Sequence, residues 1–122
     1  MSRLFSFLRT IAVDGAMDLI ERFEQCTLPI AEMHHTQHLE IALWYVLHYP
    51  PEEALDRMRN GLKALLAENG VGSSYNEEVT LGWMRFVQEF TSHADRSLPF
   101  PDLAHQLVLS AEGHRNKLVP PL

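Results

Sequence analysis

One cysteine, Cys26, occurs in 122 residues, so no internal disulfide can staple this chain, and a reducing, cytoplasmic setting is the default expectation. No apolar run reaches the ~18–20 residues that span a bilayer, which argues against integral membrane association. Positive charge is also scarce: ten Lys and Arg stand against sixteen Asp and Glu, a net charge of −6 with the histidines neutral. A broad nucleic-acid surface or an anionic-membrane surface is therefore not expected. The chain shows no glycine-rich phosphate loop, no nucleophile elbow, no internal repeat and no strand-like alternation.

What is present is helical. Apolar residues make up 46% of the chain and charged residues 21%, a globular balance, and the length suits one domain with a real core. The longest helical pattern runs from Ala31 to Tyr49. Pro29 sits just before it, where a missing amide costs little, and Pro50-Pro51 stops it. From Leu39 to Leu47 only Glu40 is charged. A helix apolar nearly all round belongs at the centre of a bundle. The same stretch carries His34, His35, His38 and His48, four of the seven histidines.

Around this centre the other segments fall into place. Residues 1–13 form an amphipathic extension, with Leu4, Phe5, Leu8 and Ile11 on one face. Its expected role is a short helix docked on the body or on a second subunit. Arg9 interrupts its apolar stretch and no small-x-small site follows, so it does not read as a secretory signal. Asp14 suits the N-cap of the next helix, with Met17, Ile20 and Phe23 as its apolar stripe. Cys26 reads as a small buried hydrophobe rather than a reactive thiol. Pro51, Glu52 and Glu53 open a helix that Asn69-Gly70 closes. Its Arg57, Arg59 and Lys63 are assigned to a solvated side. Ser74-x-x-Glu77 fits a capping box opening a helix from about Tyr75 to His93. Val79, Trp83, Phe86, Val87 and Phe90 mark its core face, and Asn76 projects onto that face. A final helix spans Pro101 to about Ser110. The expected fold is all-α: a bundle of four main helices, mostly antiparallel, plus a short N-terminal helix, with residues 14–122 as one domain.

The run from Phe23 to Gly70, followed by Tyr75-Asn76-Glu77-Glu78-Val79-Thr80, resembles a family of small bacterial helical proteins. Its members carry Thr-His-x-x-His-Leu after a tryptophan, then Tyr-His-Glu-Thr, a Leu or Ile, and Thr. The resemblance covers about residues 14–122. It implies a small helical domain and no particular reaction. Carried over, His35 and His38 match the His-x-x-His, and Tyr75, Glu77 and Thr80 match the second motif. Two positions depart: Met33-His34-His35 replaces Trp-Thr-His, and Asn76 stands where the family has histidine. A family site of three histidines and a glutamate would here be missing one ligand, which His34 could replace; Asn is a poor transition-metal ligand.

Three readings of this constellation stay open. The first places His35, His38 and Glu77, with His34, around a divalent Fe, Zn, Mn or Ni ion between two helices. Histidines three or four residues apart lie on one helix face, and helix bundles build metal sites this way. Tyr45, Tyr75, Asn76 and Thr80 would then form the surrounding shell. The second makes the same groups a metal-free polar pocket for a small organic ligand or substrate. The third is structural: the histidines satisfy one another and the caps, and the chain is an interaction module that dimerises or binds a partner through its N-terminal stripe.

Overall fold

A computed structural model describes residues 15–115. The extension 1–13, the Asp14 cap and the tail 116–122 lie outside the described residues. Among those described, all regular structure is helical. The helices are α1 (residues 15–24), α2 (His35–His48), α3 (Pro51–Glu68), α4 (Glu77–His93) and α5 (Phe100–Arg115). Two single 3-10 turns, Ile30–Glu32 and Gly72–Ser74, precede α2 and α4. The class is all-α, with five helices among residues 15–115 where four main ones were expected; the short N-terminal helix expected in 1–13 lies outside the described residues. The final helix is longer than its sequence pattern suggested, because Ala111 continues the buried stripe of Leu103, Ala104 and Leu107.

Helix α2 is the hub. Leu39, Ile41, Ala42, Leu43, Tyr45 and Val46 are all buried, and α3, α4 and α5 pack around it. This is the arrangement that an all-round apolar helix demands, since each buried Leu or Ile withdrawn from water contributes about 1.5–3 kcal/mol. The α2–α3 hairpin is antiparallel. At one end the Arg57 guanidinium lies 4.0 Å over the Tyr49 ring; at the other, His38 and Leu65 line one cleft. Pro50 and Pro51 force this reversal: Pro51 starts α3, where its missing amide hydrogen is no loss.

Helix α1 crosses close to α3. A Cβ on Gly61 would lie 2.3 Å from the Phe23 ring, so Gly61 is the gap into which Phe23 fits, and Phe23 is fully buried. The chain leaves α1 through Cys26 with φ 58°, a left-handed conformation unusual for a side chain other than glycine. That turn lets the Thr27 and Leu28 amides both bond back to the Arg22 carbonyl, and it delivers Leu28 into the core.

Two helix starts differ from the sequence reading, and both matter for the site. Helix α2 begins at His35, not Ala31. Residues 30–32 make only a 3-10 turn, and His34 is the extended N-cap, its amide donating to the Gln37 side chain at 3.2 Å. Helix α4 is capped by Asn76, not Ser74. The Asn76 Oδ1 accepts the Val79 amide at 3.0 Å, while Ser74 belongs to the preceding 3-10 turn. Glu77 is thus the first residue of α4 and not the third residue of a capping box. No helix among the described residues is long and apolar enough to cross a membrane.

Candidate functional site

The starts of α2 and α4 meet at one end of the bundle, beside the last turns of α3. Between them lies a cleft of about 300 Å³. Its apolar walls come from Met33 before α2, from Leu62, Leu65 and Leu66 of α3, and from Val79 of α4. Its polar groups are His38, Ser74, Tyr75, Asn76 and Thr80. Of the residues singled out in the sequence, His38, Tyr75, Asn76 and Thr80 are brought together here. No described Lys, Arg, Asp or Glu lines the cleft.

His38 is one turn into α2 and partly buried, and its Nδ1 is enclosed without a hydrogen-bond partner. Burial, then the neighbouring charge of His35, push its pKa down to about 4, against a smaller opposing effect from a hydrogen bond to the Met33 backbone. At neutral pH the cleft therefore contains a neutral imidazole, with one donor and one acceptor nitrogen. Thr80 is buried, and its hydroxyl donates to the Asn76 carbonyl at 3.1 Å. The Tyr75 hydroxyl donates to Glu77 Oε1 at 2.7 Å. Burial of the Tyr75 ring is the first cause of its raised pKa, which keeps the phenol protonated.

The remaining candidates go elsewhere. Glu77 is half-buried against α3, not against the histidines. The Arg59 Nε donates to both carboxylate oxygens at 3.0 Å, while Arg59 Nη1 reaches Asp56 at 2.8 Å. The Arg59 hydrogen bonds and then the Tyr75 hydroxyl hold the Glu77 pKa down to about 2. Arg59 is therefore not simply a solvated residue of α3: it clamps the first turn of α4. His35 lies edge-on to Trp83 of α4, ring centroids 5.0 Å apart. His34 is exposed at the cap and lines a different, polar cleft with Arg22, Gln37 and Glu40. Tyr45 points to the α1 side, where its hydroxyl donates to Glu24 Oε2 at 2.7 Å. The arrangement of His34, His35, His38 and Glu77, expected from histidine spacing and the family resemblance, is thus not assembled at one point. Among the described residues no group of three His, Cys, Asp or Glu could hold a metal ion.

Sequence reasoning missed the Arg59 clamp and the apolar walls from α3. The only signal for Arg59 was its place in the same helix as Leu62 and Leu66, three residues before the first wall residue, Leu62. Trp83 is fully buried core; Trp44 is half-buried, stacked on His48 at 4.0 Å and edge-on to Phe100. Neither builds a cage at the cleft. No family model, curated protein or solved structure matches this chain, so the family resemblance rests on its sequence motifs alone.

Proposed function

We propose that the cleft at the α2–α3–α4 end is a binding pocket for a small organic molecule. The observation that carries this reading is the meeting of a neutral, enclosed His38 with Tyr75, Asn76 and Thr80 over an apolar wall. Ligand sites are commonly concavities of about 300–1,000 Å³, mostly apolar, with a few convergent polar groups. This cleft is at the lower end of that range, and a cavity of about 150 Å³ already accommodates benzene. A one- or two-ring molecule is the right size.

The test is fragment binding by saturation-transfer NMR, using indole, cyclohexanol and 2-naphthol. It is run against the native chain and against Val79→Trp, which fills the cleft from its α4 wall. Binding to the native chain that disappears in the filled variant is the expected result. Binding that survives in Val79→Trp locates the ligand elsewhere and overturns the reading.

Metal binding would need a third donor beside His35 and His38, and the carboxylate assigned to that role is engaged by Arg59. One equivalent of Zn, Fe, Mn or Ni, lost in both His35→Ala and His38→Ala, would reinstate that reading. The interaction-module reading draws on residues 1–13, outside the described residues. Among the described residues the large exposed apolar side chains, Met17, Ile30, Val71 and Leu109, are scattered over different elements, and single exposed apolar side chains are ordinary.

A further inference from the structure

The polar groups of the cleft carry more information than its size. Their hydroxyl protons are already committed: Tyr75 donates to Glu77, and Thr80, whose hydroxyl also lies beside the Tyr75 oxygen, donates to the Asn76 carbonyl. What Tyr75 and Thr80 can still offer are oxygen lone pairs. The Asn76 side-chain oxygen is spent on the Val79 amide, so that side chain offers its NH2 from the exposed rim. No described cation lines the cleft. Two charges flank Tyr75 from outside the lining: the Glu77 carboxylate, which accepts its hydroxyl proton and is neutralised by Arg59, and the Lys63 ammonium, 5.3 Å from the centre of its ring. A carboxylate or phosphate entering here would lose its hydration and find no cation in the lining, with Lys63 outside it and already over the Tyr75 ring; desolvating an ion without a direct partner costs far more than desolvating a hydroxyl. An ammonium would find no lining carboxylate either.

We propose that this pocket selects a neutral, mostly apolar molecule carrying one hydrogen-bond donor, of the phenol, alcohol or N–H heterocycle class, with the donor directed at the His38–Tyr75–Thr80 acceptors. The apolar body lies against Leu62, Leu65 and Val79. This inference rests on the pocket reading above and narrows it to a ligand class.

Four naphthalene derivatives of nearly equal bulk separate the cases: 2-naphthol, 2-methoxynaphthalene, 2-naphthoate and 2-naphthylmethylammonium. Dissociation constants are measured at pH 7 by two-dimensional NMR titration, with the imidazole nitrogen shifts of His38 followed in the same samples. The expected result is tightest binding by 2-naphthol. Its lead over the methoxy compound should be at least about fivefold, the value of one added hydrogen bond, and the His38 nitrogen resonances should move with it. In His38→Leu, checked for native helicity by circular dichroism, that lead should shrink. If this variant does not fold, the His38 nitrogen shifts in the native chain decide the point alone. Equal affinity for naphthol and methoxynaphthalene, or unmoved His38 nitrogens, overturns the donor assignment. Tighter binding of the naphthoate or the ammonium overturns the ligand class while leaving the pocket standing. Failure of all four to bind overturns both the class and the pocket.

Discussion

Acidification should weaken this fold through His38 in a defined window. The perturbation is pH, and the control is His38→Leu. In the unfolded chain His38 titrates near its ordinary 6.5; in the folded chain burial and the charge of His35 bring it down to about 4. The sign follows from proton counting. Above pH 6.5 the imidazole is neutral in both states and pH has no effect through it. Between 6.5 and about 4 the unfolded chain binds the proton and the folded chain does not, so stability falls as pH falls. Below about 4 both states are protonated and the loss is complete. At about 1.4 kcal/mol for each pH unit, the gap amounts to about 3 kcal/mol, a large part of a typical 5–15 kcal/mol total. Other groups titrate nearby in opposite directions. Glu40 has a pKa raised by burial, so its proton favours the folded state as pH falls just above 4.5. Glu77, held down to about 2, contributes stability present above 4.5 that is lost as pH falls through 2. The quantity to measure is therefore a difference: urea unfolding free energies of native chain minus variant, from pH 7.5 to 4. The native chain should lose about 2–3 kcal/mol more than His38→Leu across this window. Parallel pH profiles would refute the claim that His38 is held neutral in the fold.

Three further outcomes test the scaffold. Gly61→Ala puts a methyl group 2.3 Å from the Phe23 ring and should cost about 1–3 kcal/mol in urea unfolding, as overpacking does; Phe23→Leu in the same chain should recover part of that loss, and additive losses would argue against the contact. Asn76→Ala removes the α4 cap and should cost about 0.5–2 kcal/mol, whereas Ser74→Ala should cost little; the reverse order in thermal melts would restore Ser74 as the cap. Leu43→Asp places a carboxylate at a fully buried position of α2 and should abolish the cooperative melt, since losing the leucine alone costs about 2–5 kcal/mol; near-native melting would remove α2 from the centre of the bundle.

The class of the fold and its hub were legible because they depend on local pattern. Leu39 to Leu47 is apolar on every side, and such a helix has no stable place outside a core. Pro50-Pro51 and Asn69-Gly70 fixed the ends of α3 for reasons confined to a few residues: Pro51 at the first helical position and Gly70 at φ 73° just after the last. The misplaced starts were both at N-termini with several capping residues in competition. Ser74 and Asn76 can each cap a helix, and the composition of the loop does not rank them. The structure chooses Asn76 because Gly72–Ser74 is already wound into a 3-10 turn, with the Ser74 amide bonded to the Val71 carbonyl. Likewise the pattern after Pro29 looked helical from Ala31, but local pattern is a weak prior beside tertiary packing, and Ile30 and Met33 of this segment instead line the cleft.

The site was legible only in half, and the division has a physical cause. His38 and Thr80 converge because each lies on the inner face of its own helix, which periodicity reports, while Asn76 reaches the cleft as the exposed cap of α4 and not from a buried face. Glu77 follows Asn76 by one residue, about 100° round the helix, and that rotation turns it from the cleft to the side of α3. There it meets Arg59, a residue whose own periodicity assigned it to solvent. Helical pattern distinguishes inside from outside for each helix separately. It does not say which part of an outer face the next helix will cover, and α4 covers Arg59. The clamp so formed has a consequence for chemistry: a carboxylate held by a guanidinium fork and a phenol is a poor metal ligand and a poor general base, with its pKa near 2. With Glu77 engaged as a fastener, the reactive character of the cleft falls to a neutral imidazole and hydroxyls whose protons are already donated. Such a set recognises a molecule more readily than it transforms one, which is why we propose binding rather than catalysis at this end of the bundle.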